Sequence, residues 1–72
     1  MMWETYRKRG RHWEYLGLRE AMNDVVAAHK TSYAHNIKVI GIRPEDSRDK
    51  IRVFRFKHVS GQTRTIRGNH AS

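Results

Sequence analysis

The 72-residue chain has no cysteine, a single proline and only seven acidic side chains against fifteen Lys and Arg. Without cysteine there is neither a disulfide nor a thiolate zinc site to staple a small fold. No apolar run approaches the roughly 20 residues that a membrane-crossing helix needs, and there is no signal-peptide core. These absences point to an intracellular, cytoplasmic protein with no membrane partner. A chain of this size buries only about 60% of the surface its unfolded form exposes. Hydrophobic residues are 38% of the total, so the core is expected to be thin. Self-association or docking on a larger assembly is one way such a chain gains stability. One domain is expected over residues 1–68, with 69–72 as a frayed tail.

What the chain has in excess is positive charge. The net charge is +8, and at that density attraction to phosphate backbones is expected. The charge is uneven along the sequence: residues 36–72 carry nine basic and three acidic groups, residues 1–35 six and four.

Periodicity gives a coarse outline. Residues 2–16, MWETYRKRGRHWEYL, carry aromatics on both sides of Gly10. A hairpin turning at Arg9-Gly10 would pair Tyr6 with Trp13 and Trp3 with Leu16, and such aromatic pairs stabilise sheets. The same residues also fit a helical spacing. Gly10 would then cost about 1 kcal/mol relative to Ala in mid-helix, which favours the hairpin. Residues 18–30 read as a helix with Leu18, Ala21, Met22, Val25, Ala28 and His29 on one stripe. NIKVIGIR from Asn36 is strand-like and ends at Pro44, and the polar run EDSRD marks a loop at 44–49. Residues 50–59 form the next strand, Ser60-Gly61 a turn, and 63–67 a weaker strand. The expected fold class is α+β: one helix, about 18–30, on an antiparallel sheet of three to five short strands, with the other sheet face open.

Residues 50–67, KIRVFRFKHVSGQTRTIR, thread apolar side chains through six cations with no acid between them. A turn at Ser60-Gly61 would put Phe54 and Phe56 on one face and Arg55, Lys57 and Arg64 on the other. Lys57 would then oppose Arg64, a like-charge pair that costs some tenths of a kcal/mol unless an anion lies between. Apolar residues change phase between Val53 and Phe54, so either a bulge interrupts the strand or both of its faces are partly buried.

These features define the candidate site. Arg52, Arg55, Lys57, Arg64 and Arg67 are expected to contact a nucleic acid or an acidic protein surface. Lys50 and the hairpin-tip residues Arg7, Lys8, Arg9 and Arg11 would assist. Base specificity should be low, because none of the zinc-finger, KH, helix-turn-helix or RNA-recognition patterns is present. The alternative is a protein-binding regulator or inhibitor, in the style of bacteriophage and mobile-element proteins that dock on host nucleic-acid-processing or defence complexes. In that reading Trp3, Tyr6, Trp13 and Tyr15 are interface anchors, since Trp and Tyr dominate binding hot spots.

The five histidines, His12, His29, His35, His58 and His70, have no metal-ligand spacing and no cysteine to complete a set, so neither metal nor cofactor is expected. His29 would close the helix as a terminal cation. Glu20 and Asp24 are expected on a polar, exposed helix face, which is no setting for a catalytic carboxylate pair. KIRVFRFKHVSGQTR is similar to the final basic strands of small ribonuclease toxins, over fifteen residues. That resemblance implies acid-base RNA cleavage by groups such as His58 and Arg55, and it stands as a remote alternative. The residue inventory itself leads us to expect no enzymatic activity.

Overall fold

The computed structural model describes residues 1–61. Two long strands, β1 (Met2–Arg9) and β2 (His12–Glu20), lead into one helix, α1 (Asp24–His35). Two shorter strands follow, β3 (Val39–Pro44) and β4 (Arg52–Arg55). The sheet order is β2-β1-β3-β4, and every pairing is antiparallel. The helix covers one face, so the fold class is the expected α+β.

The amino-terminal aromatics form a hairpin, but its turn lies one residue later than expected. Gly10 and Arg11 make the connection, and Gly10 takes the positive φ of 58° that a tight hairpin turn favours. Moving a turn by one residue moves each pairing by two. Tyr6 therefore opposes Tyr15 instead of Trp13, while keeping its face. A further irregularity at Thr5/Tyr6 adds Leu16 to the β2 side, so Trp3 opposes Arg19 instead of Leu16.

The helix begins six residues later than its apolar stripe suggests. Leu18, Arg19 and Glu20 belong to β2, where Leu18 opposes Glu4. Asn23 sets the true start: its side chain accepts a hydrogen bond from the Val26 amide at 2.9 Å, and Asp24 follows in the first turn. Asn36 ends the helix in the left-handed conformation, φ 57°, and its amide donates to the Ser32 carbonyl. His29 lies in mid-helix and does not cap it; the basic residue of the last turn is His35.

The buried side of α1 is made of small residues. Ala27, Ala28, Thr31 and Ser32 are the buried ones, and Thr31 Oγ1 satisfies itself on the Ala27 carbonyl at 2.8 Å. Met22 and Val25, expected on the core stripe, are exposed. The sheet supplies the bulk: Trp3, Ile40 and Ile42 are buried, with Phe54, Phe56, Val26 and Ile37 packed around them. Each fully buried Ile is worth about 1.5–3 kcal/mol relative to exposure. Trp3 Nε1 donates to the Ala21 carbonyl at 3.0 Å, which closes β2 onto the core before the helix starts.

β4 is shorter than the expected 50–59 strand and pairs regularly with β3 from Arg52 to Arg55. The phase change at Val53-Phe54 has a simple origin. Phe54 opposes Ile40 on the helix side, and Val53 opposes Gly41 on the other. The strand has no bulge and its outer face is open: Val53 stays 41% exposed while Phe54 packs against the core, so neither expected explanation holds. Residues 63–67, and with them the expected Lys57–Arg64 pair and the 69–72 tail, lie outside the described residues.

Candidate functional site: the open sheet face and its basic end

The uncovered face of the sheet is ordered in rows across the strands. Opposed residues in an antiparallel pair point the same way, and Ile40 and Ile42 fix which side the helix takes. Trp13 and Lys8 pair at one level, with Val39 and Arg55 paired beside them. The next level runs Tyr15, Tyr6, Gly41, Val53, and the third holds Leu18, Glu4 and Arg43.

Each row has its own chemistry. In the third, Arg43 Nε and Nη2 lie 2.8 and 2.7 Å from Glu4 Oε1. The Tyr6 hydroxyl donates to that same oxygen at 2.7 Å and accepts from Arg43 Nη2 at 2.8 Å. The Tyr6 hydrogen bond first, and the Arg43 hydrogen bond next, hold the Glu4 carboxyl below its ordinary pKa of 4.5. Burial, seconded by the Glu4 carboxylate, pushes the Tyr6 phenol above 10. This closed network locks β1 to β3 and neutralises Arg43 locally.

In the middle row Gly41 lets two other side chains in. A Cβ there would stand 3.1 Å from two Trp13 ring carbons and 2.5 Å from Ile51 Cγ2. Trp13 thus reaches diagonally across β1, and the Lys8 ammonium sits 4.7 Å from the centre of its ring. Tyr6 and Tyr15 meet at 5.5 Å with ring planes tilted 55°.

The first row opens onto a cationic end of the molecule. Beyond the Tyr6 level lie Arg7, Lys8, Arg9, Arg11, Lys38, Arg55 and Lys57, seven cations against the single carboxylate of Glu14. The opposite end is balanced: Glu4, Glu20, Asp24, Glu45, Asp46 and Asp49 stand against Arg19, Lys30, Arg43, Arg48, Lys50 and Arg52, and the Lys30 ammonium donates to the Glu20 carbonyl at 2.9 Å. Glu14 is shared, 3.8 Å from Arg7 Nε and 3.4 Å from Arg9 Nε. Among the described residues Lys8, Arg11, Lys38, Arg55 and Lys57 have no carboxylate partner. In space the charge is also divided along the strands, with cations from both halves of the chain at the basic end.

The fold therefore splits the residues singled out from sequence. It brings Arg7, Lys8, Arg9, Arg11, Arg55 and Lys57 to one end. Arg52 points to the helix side at the other end, 2.5 Å from Asp24 Oδ2, with Lys50 nearby in sequence. Arg64 and Arg67 lie outside the described residues. Of the four aromatics, Trp3 is core, Tyr6 is hydrogen-bonded, Trp13 is sandwiched, and Tyr15 keeps 54% of its surface exposed.

Sequence reasoning missed Lys38, Arg43 and Gly41. A glycine inside the β-rich run Val39–Pro44 is a signal of close approach by a neighbour. Tyr33, 67% exposed on α1, was also missed.

His29 Nδ1 lies 2.5 Å from Ser60 Oγ, and its ring stacks on Phe56 at 4.5 Å. This contact holds the segment after β4 against the helix. Among the described residues no His, Asp and Glu group is arranged to hold a metal ion, and no helix is long and apolar enough to cross a membrane. No family model, curated protein or solved structure matches the chain.

Proposed function

We propose that this chain is a small basic nucleic-acid-binding module that contacts phosphates with low base specificity. The observation that carries the reading is the concentration of seven cations around one carboxylate at a single end of the sheet. Lys8, Arg11, Lys38, Arg55 and Lys57 are the principal contacts, with Arg7 and Arg9 sharing Glu14. Arg52 and Lys50 lie at the other end and contribute little. Charges on strands and a hairpin tip follow a phosphate backbone without reading base edges, so sequence preference is weak. The module binds and does not catalyse.

The test is salt dependence. The logarithm of the binding constant should fall linearly with log salt, by about 0.9 per neutralised phosphate on duplex DNA. Binding unchanged between about 50 and 200 mM salt would overturn the reading.

A second reading, a regulator docked on an acidic protein surface, draws support from Met22, just before α1, and Val25 in its first turn, both exposed. A partner retained from a nuclease-treated lysate, with no band shift on random nucleic acid at about 150 mM salt, would favour it.

A further inference from the structure

Resting on the nucleic-acid reading, we infer that the open sheet face takes single-stranded nucleic acid, with a base stacked on Tyr15, a flanking phosphate on Lys8, and a phosphate further along the strand on Arg55 at the opposite sheet edge. Three observations carry this. First, Tyr15 is the aromatic of this face that remains half-exposed, at 54%. Trp13 is excluded as a platform, because Gly41 and Ile51 lie against one part of its ring and the Lys8 ammonium sits over it. Tyr6 is excluded because its hydroxyl is fixed by Glu4 and Arg43 and its ring leans on Tyr15.

Second, Tyr15 stands on β2, an edge strand. A base can approach it from the sheet face and from beyond the edge. Its ring is braced by Tyr6, whose own position is locked by the Glu4–Arg43 pair. A pre-positioned ring loses little freedom when a base stacks on it.

Third, the row beside the two tyrosines is cationic. Lys8 lies next to Trp13, and Arg55 lies beside Val39 on the same face. Neither has a carboxylate partner among the described residues. Glu4, the carboxylate on this face, is neutralised by Arg43. An aromatic surface bordered by unpaired cations suits bases that are unstacked and free to swing out, which a duplex does not offer. A second copy of the chain would bring a second cationic face and meet repulsion, so an anionic strand is the better complement.

The inference is tested by fluorescence anisotropy with a labelled oligothymidylate and with a duplex of equal length, at about 150 mM salt. Wild-type protein should prefer the single strand. Tyr15→Ala should weaken single-strand binding about tenfold while leaving duplex binding and the salt slope unchanged. Tyr15→Phe should restore it. Lys8→Ala and Arg55→Ala should weaken both ligands and flatten the salt slope. Because Tyr15 is half-exposed, circular dichroism of Tyr15→Ala should match wild type, and Tyr15→Phe guards against misfolding. If Tyr15→Ala weakens both ligands equally or neither, while the Lys8 and Arg55 variants keep their effect, the stacking inference falls and the phosphate reading stands. If wild type binds neither ligand, both fall. If light scattering shows a dimer that Tyr15→Ala dissociates, the face is a self-association surface and the inference is overturned.

Discussion

Trp13 lies over Gly41, two strands away across β1, and occupies the space that any side chain at position 41 would need. With Ile51 it forms a small apolar cover on the face opposite the helix. A sheet whose helix contributes mainly alanine, serine and threonine gains from burial on its second side, since a domain of this size has little core to spare.

Gly41→Ala should therefore destabilise the fold by about 1–3 kcal/mol, because the added methyl overlaps Ile51 Cγ2 and crowds the Trp13 ring. Urea denaturation followed by tryptophan fluorescence measures this. Gly41→Ala combined with Ile51→Ala and Trp13→Ala should show a smaller penalty for the alanine at 41 than the single variant does. An additive result would contradict the packing described.

Asn23→Ala should lower stability by about 1 kcal/mol through loss of the helix cap, seen as a lower urea midpoint with an unchanged slope. Asn23→Asp or Asn23→Ser should retain most of it. Equal losses in all three variants would show that the 2.9 Å bond from the Val26 amide is not what holds the helix start.

The Glu4 network fixes a pH response. Its carboxyl has a lowered pKa in the folded state, so the unfolded chain binds the proton more readily. The stabilisation is complete above the ordinary value of 4.5 and is lost as pH falls through the lower folded value. Thermal melts should show a steep acid-side loss of stability that Glu4→Gln makes shallower. Tyr6→Phe removes the first cause of the shift and should move the acid transition of the Glu4 carboxyl, followed by NMR, upward.

The two ends of the sheet should differ in binding. Lys8→Ala or Arg55→Ala should each reduce the duplex salt slope by about 0.9, the loss of one phosphate contact. Arg52→Ala should change it little, since Arg52 sits at the charge-balanced end, paired with Asp24. Equal effects from all three variants would mean that net charge alone governs binding.

Much of the fold was legible because its signals are local. Gly10 between two aromatic runs announced the hairpin, and Pro44 with its polar run announced the end of β3. The helix was displaced because Leu18, Met22 and Val25 mimic an apolar stripe. Its actual boundaries were written in Asn23 and Asn36, which act through hydrogen bonds and leave no hydrophobic period. The site was legible in kind but not in place. Arg52 and Arg55 are three residues apart in one strand, yet they fall on opposite faces and at opposite ends of the charge distribution.

The sequence by itself determined the α+β class, the hairpin, the positive charge and the amphipathic β4, since each follows from composition or from spacing within a few residues. Tertiary structure alone decided that Tyr15 stays open while Trp13 is covered, and that the cations gather at one end. Both outcomes depend on register between strands distant in sequence: Tyr6 against Gly41, and Val39 against Arg55. Register is set by the turn at Gly10, the extra residue in β2 and the burial of Ile40 and Ile42 together, and no single segment contains that information.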